Sequence, residues 1–274
     1  MTVRLLAYAK LNLSLEICGR RADGMHEIRS IAQTIDLADR IQISARAKTR
    51  VFCDESLDGP NIVEKAAAIV LREKRSRGGL EIRIEKRIPV GAGLGGGSSD
   101  AAAVLVAANK LLPPLIGDVE LIDMASSLGA DVPLFLTGGC MRLTGVGHPE
   151  QKMPTRSEVF VLVVPEIRCA TVDVYREWRS SDAPSQSRAL GQNDLYPAAA
   201  RLHPELRMYH DAITQTGGKY SGMTGSGSAF YAAFGSCAEA MRARDTLARQ
   251  ELGCRVYCCR ATATGCAEAG GEEA

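Results

Sequence analysis

The chain has 274 residues, enough for one large domain or two smaller ones with a substantial buried core. Its 33 lysines and arginines nearly cancel 32 aspartates and glutamates. No global basic field therefore exists to draw in nucleic acid or an anionic membrane surface, and any bound anion must be held by a local site.

Residues 3–17 alternate in places between apolar and polar side chains and predict a strand, as do Ile41–Ala45 and Val51–Cys53. Asn61 with Glu64 three residues on has the pattern of a capping box. It opens a helix whose apolar face carries Ile62, Ala66, Ile69 and Val70 and which Gly78 and Gly79 stop. Leu80, Ile82 and Ile84 alternate with charged residues, the mark of a half-exposed strand, and Pro89 breaks it. A glycine-rich loop follows. Ser98 and Ser99 are placed to cap the next helix, which runs through Leu112 and, with almost no polar face, belongs in the interior. After Pro113-Pro114, Asp118 caps a helix with Leu121, Ile122, Ala125 and Leu128 on one side and Gly129 at its close.

The polar, turn-rich stretch 148–157 predicts a boundary, dividing the chain into units 1–152 and 153–274. Beyond it, Val159–Val164, Ala229–Phe234 and Arg255–Ala261 read as strands. Val172–Trp178, Pro204–Thr216 and Cys237–Glu251 read as helices, and the tail EAGGEEA, residues 268–274, reads as disordered. Strands and helices mixed without regular alternation predict an α+β fold.

Nine cysteines, with no Cys-x-x-Cys pair and no neighbouring histidine cluster, fit reduced core thiols better than a disulfide framework or a zinc site. No N-terminal leader pattern and no apolar run of the roughly 18 residues a membrane helix needs is present, so a soluble cytoplasmic protein without a membrane partner is expected.

The segment PVGAGLGGGSSDAAA, residues 89–103, carries the chemistry. Gly91, Gly93, Gly95, Gly96 and Gly97 stand between a predicted strand and a helix. Glycines admit positive φ and close backbone approach, so successive N–H groups and the first helical turn can surround phosphate oxygens. Ser98 and Ser99 add hydroxyls. A Walker A loop is excluded, because Gly97 stands where lysine is required. Gly91, Gly93 and Gly96 do fit Gly-x-Gly-x-x-Gly, but Pro-Pro and another helix follow instead of a second parallel strand, which argues against a dinucleotide fold. A merely flexible turn is the bland alternative. It leaves the conformational entropy of five glycines in seven residues without a compensating contact.

This segment resembles the second motif of the GHMP kinases. AKLNLSLEICGRRADGMHEI at residues 9–28, LGADVPLF at 128–135 and MTGSGSAF at 223–230 resemble the same family in the same order. The first two resemble in particular the members that act on a diphosphocytidyl methylerythritol. The resemblance implies a two-domain α+β fold, with an N-terminal part like domain 2 of ribosomal protein S5 and a ferredoxin-like C-terminal part. It implies an ATP-dependent kinase of the non-mevalonate isoprenoid route, with ATP and Mg²⁺ as cofactors, a small-molecule acceptor as partner and the acceptor's C2 hydroxyl as the reacting group.

The resemblance also implies roles. Pro89, Val90, Gly91, Ala92, Gly93, Leu94, Gly95, Gly96, Gly97, Ser98 and Ser99 form the nucleotide loop. Asp131 is the base, although its place before Val132-Pro133 equally suits a helix N-cap. Lys10 stands beside it to stabilise an alkoxide or a phosphoryl oxygen, where without the family it would read as a solvated strand lysine. Asn12, Met25, His26, Tyr175, Gly225 and Ser226 bind the acceptor. Met25 departs from the family's usual aromatic, and a thioether packs on the base in its place. Asn193-Asp194 resembles a structural family feature, and His148 replaces a frequent acid with no function attached. The alternatives are another GHMP kinase, such as a homoserine kinase, and a sensor that retains the loop without catalysis.

Overall fold

The computed structural model describes residues 1–55, 61–183 and 189–269. The chain opens with two long strands, β1 (Thr2–Arg20) and β2 (His26–Arg46), then β3 (Arg50–Cys53), α1 (Ile62–Glu73) and β4 (Gly79–Glu85). The glycine loop leads into α2 (Gly96–Leu111), followed by α3 (Asp118–Leu128), α4 (Val132–Thr137), β5 (Cys140–Thr144) and β6 (His148–Met153). The second half runs β7 (Val159–Pro165), α5 (Thr171–Glu177), α6 (Tyr196–Leu202), α7 (Leu206–Thr214), β8 (Tyr220–Met223), β9 (Phe230–Phe234), α8 (Cys237–Ala248), β10 (Cys254–Arg260) and β11 (Cys266–Glu268).

Two sheets result, and the fold is α+β as expected. The first has the order β11-β1-β2-β4-β3, and β2 serves it twice: Arg40–Arg46 pair with β4, whereas Ser30–Gln33 pair with β5 of the β5–β6 hairpin. Helices α1 to α4 cover this sheet around a core that includes Leu5, Ile43, Leu80, Ile82 and the alanines of α2. The second sheet has the order β10-β7-β9-β8.

The run VFVLVVP of β7 is buried throughout because both of its faces are covered. Val159, Val161 and Val163 face the core that holds Leu206, Ile213 and Leu247. Phe160, Leu162 and Val164 face Ala9, Leu11 and Leu13 of β1. Each large apolar side chain buried in that seam contributes roughly 1.5–3 kcal/mol, which fixes one sheet against the other and so fixes the cleft between them.

Several expected boundaries shift. The stretch 148–157 is not a linker throughout: β6 occupies His148–Met153, polar because it is an edge strand paired only with β5. Helix α1 stops at a Lys74 cap with Arg75 at φ 48°, before Gly78, and Gly79 already belongs to β4. Its Asn61 cap holds, with Oδ1 accepting from the Val63 N–H at 3.0 Å. Gly117, not Asp118, is the N-cap of α3, and Ile122 is exposed on it while Met124 takes the buried position. Ser98 and Ser99 do not cap α2. They lie inside its first turn, and Gly95, at φ 74°, is the cap. At the tail, Cys266–Glu268 pair with β1, so Glu268 is ordered in the sheet, and residues 270–274 lie outside those described. None of the nine cysteines is in a disulfide.

Candidate active site

Where β1 crosses the seam it alternates: Ala9, Leu11 and Leu13 enter the inter-sheet core, and Lys10, Asn12 and Ser14 take the opposite face. A break in register between Asn12 and Ser14 places a bulge there, a device that re-aims side chains beside a site. Lys10 is buried, and its Nζ donates to Gly93 O at 2.9 Å and to Asn12 Oδ1. Asn12 is held in turn: its Nδ2 donates to Ser30 Oγ at 2.8 Å, and its N–H donates to Thr224 Oγ1 at 2.9 Å. Burial pulls the Lys10 pKa down and the carboxylate of Asp131 pushes it back up.

Asp131 stands at the N-cap position of α4 but makes no capping bond with its side chain. Instead Oδ2 lies 3.9 Å from Lys10 Nζ, in a carboxylate 39 % exposed to the cleft. The expected lysine–aspartate pair is therefore assembled, and the capping alternative is not what the side chain does.

In the glycine loop, two kinds of residue interleave. Ile88, Ala92 and Leu94 are anchored in the inter-sheet core, while Gly91, Gly93 and Gly95 take φ of 72°, 76° and 74°. A Cβ on Gly93 would stand 2.3 Å from Thr224 O, and one on Gly95 would stand 2.8 Å from the Phe135 ring. Only glycine fits either position. The first intrahelical bond of α2 is Ser99 N–H to Gly95 O at 2.9 Å. Gly96, Gly97 and Ser98 thus present first-turn N–H groups, which have no intrahelical acceptor and carry the positive end of the helix dipole. Ser99 is buried and donates to Tyr8 O at 2.7 Å, so it ties α2 to β1, while Ser98 lines the cleft. Pro89, Ala92 and Leu94 are buried and Val90 lines the cleft beside them.

The second glycine loop closes the site from the other sheet. Thr224 Oγ1 reaches Gly93 O at 3.3 Å, and a Cβ on Gly225 would stand 3.4 Å from Lys10 Nζ. Asn193 Nδ2 donates to Met223 O and to Gly225 O, both at 2.8 Å, and Asp194 Oδ2 accepts from the Ile17 N–H at 2.9 Å. Asn193 thus holds the loop and Asp194 ties the same segment to β1, which are structural roles of the kind expected of the pair. Ser226 Oγ lies 3.0 Å from Thr171 Oγ1.

Lys10, Asn12, Asp131, the loop from Pro89 to Ser98, Gly225 and Ser226 line one cavity of about 1030 Å³, the upper end of the range for small-molecule sites. Its far end is aromatic. The His26 ring lies 5.1 Å from Tyr175 and 5.6 Å, edge-on, from Trp178, and Met25 is 52 % exposed at the rim. Burial, with a contribution from Asp131, raises the Tyr175 pKa to about 12, and burial followed by Arg20 lowers that of His26. At neutral pH both rings are therefore uncharged.

Sequence reasoning missed Trp178, although it stands in the same segment as Tyr175. Its Nε1 is buried without a hydrogen-bond partner among the described residues. Thr224 was also missed, since a threonine between glycines carries no signal by itself. Among the described residues no three His, Cys, Asp or Glu side chains converge on a metal-sized site, and no helix is long and apolar enough to cross a membrane.

Comparison with known proteins agrees with this geometry. Residues 61–139 match the model of the GHMP kinases N terminal domain. A 4-diphosphocytidyl-2-C-methyl-D-erythritol kinase of Solibacter usitatus is 39 % identical over 260 residues, covering 84 % of this chain and 80 % of that one. A kinase of the same name from Pelotomaculum thermopropionicum is 35 % identical over 272 residues, covering 91 % and 94 %. Among solved structures, a 4-(cytidine 5'-diphospho)-2C-methyl-D-erythritol kinase superposes with a TM-score of 0.82 at 33 % identity, over 95 % of this chain and 99 % of that one. A homoserine kinase from Cytophaga hutchinsonii, at 17 % identity and a TM-score of 0.73, shares the fold. With relatives this similar over most of both chains, the protein belongs to the 4-diphosphocytidyl-2-C-methyl-D-erythritol kinases, a branch of the ATP-using GHMP kinases.

Proposed function

We propose that the protein transfers the γ-phosphoryl group of ATP to the C2 hydroxyl of 4-diphosphocytidyl-2-C-methyl-D-erythritol, releasing ADP and the 2-phosphate. The observation that carries the reading is the position of the Lys10–Asp131 pair, 3.9 Å apart, between the phosphate-sized glycine loop and the aromatic end of one cavity. The main-chain N–H groups of the loop, from Gly91 to Ser98 with Ser99 behind them, hold the triphosphate. His26, Tyr175 and Trp178 take the cytosine, with Met25 at its edge. Asn12, Gly225 and Ser226 line the path between base and phosphate.

The acceptor oxygen attacks the γ-phosphorus, the bond to the β-phosphate oxygen breaks, and the acceptor's proton passes to Asp131. Because such transfers are largely dissociative, Asp131 contributes orientation more than basicity. Lys10, whose charge Asp131 supports against the effect of burial, stabilises the negative charge that develops on the transferring group. Mg²⁺ would accompany the nucleotide, neutralising charge on its phosphates while held largely by them and by water. We divide the chain into an ATP-binding unit, 1–152, and a second unit, 153–274, with β11 returning to the first sheet. We place the reaction in the cytoplasm.

A coupled assay of ADP release over a panel of hydroxyl acceptors tests this. The diphosphocytidyl compound should be turned over and homoserine should not. Turnover of homoserine alone would transfer the protein to that branch of the family, and ATP binding without turnover of any acceptor would make it a sensor.

A further inference from the structure

In the wall of the same cavity, against the glycine loop, lies a buried charged cluster to which the mechanism above assigns no part: Lys86 and Asp100 border the cavity and Asp39 stands behind them. Lys86, between β4 and the loop, directs its ammonium at two carboxylates. One is Asp39 of β2, in hydrogen-bond contact; the other is Asp100 of α2, whose Oδ2 accepts at 2.8 Å. The three side chains are 2 %, 0 % and 2 % exposed. A Cβ on Gly96, the first residue of α2, would stand 3.3 Å from Lys86 Nζ, so the cluster touches the underside of the loop.

One ammonium facing two ionised carboxylates would leave a net negative charge, buried under the place meant for a polyphosphate. An uncompensated buried charge is costly, and the usual outcome is that the group takes up a proton. The two acids are not equivalent. Asp39 Oδ1 accepts from the N–H groups of Arg87 at 2.6 Å and Ile88 at 2.8 Å, and Oδ2 accepts from Lys86, so both oxygens are served as an anion requires. Asp100 has Lys86 on one oxygen, and its Oδ1 has no partner among the described residues.

We propose that Asp100 holds a proton, so that it adds no negative charge against the loop, and that losing this proton weakens the grip on the nucleotide's polyphosphate. The second half rests on reading the loop as the phosphate cradle. Asp100 is then a positioning residue, letting α2 lie on Lys86 without adding negative charge. Burial pushes its pKa well up, Lys86 pulls it down, and the charge of Asp39 pushes it further up. Lys86 is held charged by Asp100 and Asp39 against its own burial. The other groups facing the cluster are Cys53 of β3, whose thiol burial keeps neutral, and Asp54, whose Oδ1 accepts from the Lys86 N–H at 2.9 Å. The N-terminus of α2 favours an anion, but that field fades within the first turn and Asp100 is the fifth helical residue.

The test combines carbon-13 carboxyl NMR of the aspartate-labelled chain without nucleotide, thermal unfolding, and calorimetric titration with a non-hydrolysable ATP analogue. At neutral pH the wild type should show a protonated aspartate resonance that Asp100→Asn lacks. A carboxyl whose folded pKa is raised loses stability as pH climbs above the ordinary carboxylate range, and an amide does not. Asp100→Asn should therefore melt higher at neutral pH, with the gain vanishing in acid. As the pH is raised, wild-type affinity for the analogue should fall by about tenfold while Asp100→Asn stays flat. Asp39→Asn, which replaces a carboxylate oxygen that serves these donors with an amide nitrogen that cannot accept, should lose both stability and affinity. A missing protonated resonance, an Asp100→Asn chain that fails to fold, or parallel pH profiles for the two proteins would overturn the proposal. A chain that shows the proton but binds no analogue at any pH refutes the cradle reading and leaves the proton where we place it.

Discussion

Gly93 is the position where one methyl group should do the most damage. It has a φ of 76°, where an L-residue costs roughly 1–2 kcal/mol, and a Cβ there would meet Thr224 O at 2.3 Å and Gly227 O at 3.0 Å. Both neighbours are backbone, held by Asn193 and by the Thr224 N–H bond to Ala229 O, so they cannot swing aside. Restoring the 3.4 Å of ordinary contact requires a shift of about 1 Å. If the loop moves, it takes with it the carbonyl that accepts from Lys10, a charge-assisted bond of roughly 1.5–3 kcal/mol. It also displaces the reacting groups, for which 1 Å is enough to cost about 10²-fold. Gly93→Ala should accordingly lose about 3–5 kcal/mol in urea unfolding and about 10²-fold in kcat/KM. Gly97→Ala is the control: its φ is ordinary, its Cβ would meet only Ile62 Cγ2 at 3.7 Å, and it should gain about 0.5–1 kcal/mol of stability as a helical residue. Gly93→Ala with wild-type stability and kcat/KM within a factor of about two would refute the close packing of the two glycine loops.

Other outcomes follow from the same geometry. Asp131→Asn should lower kcat by at least about 10²-fold with nucleotide affinity retained. Because the lost carboxylate was holding the Lys10 pKa up, the alkaline limb of the residual activity should also move to lower pH. Trp178→Ala should raise KM for the diphosphocytidyl acceptor by about tenfold and leave KM for ATP unchanged, a split that steady-state kinetics reads directly. Arg201 Nε donates to Glu177 Oε1 at 2.6 Å, and its other nitrogens hold both oxygens of Asp182. These contacts lower the pKa of both acids, so the stability they contribute is present above the ordinary carboxylate range and lost below it. Arg201→Met should melt lower at neutral pH, and the difference should shrink below about pH 4.

The parts of the site legible in the sequence were those whose chemistry demands one residue type. Gly93 and Gly95 leave no room for a side chain, and Lys10, Asp131 and His26, which the family motifs single out, all line one cavity. What stayed hidden depends on contacts distant in the chain. The hidden alternation of anchors and glycines in the loop follows from Ile88, Ala92 and Leu94 packing on β7 and β9, elements far along the chain. The serines were expected at the cap of α2, but the tertiary bond from Ser99 to Tyr8 O draws that residue into the first turn, and Gly95 caps the helix. The first half of β2 carries polar side chains that a strand pattern does not select. Ser30, Gln33 and Thr34 are buried there because each finds a partner across the sheet or in the returning C-terminal segment. Likewise β6 read as a linker because an edge strand buries little and keeps polar residues on both faces.

The account stands on unsubstituted main-chain N–H groups receiving phosphate oxygens. Nitrogen-15 NMR of the labelled protein, titrated with a non-hydrolysable ATP analogue, addresses each of those groups. The amides of Gly95, Gly96, Gly97 and Ser98 should show the largest downfield shifts and the strongest slowing of solvent exchange. If those resonances stay in place while the nucleotide binds elsewhere on the chain, the phosphate cradle, and the mechanism built upon it, is wrong.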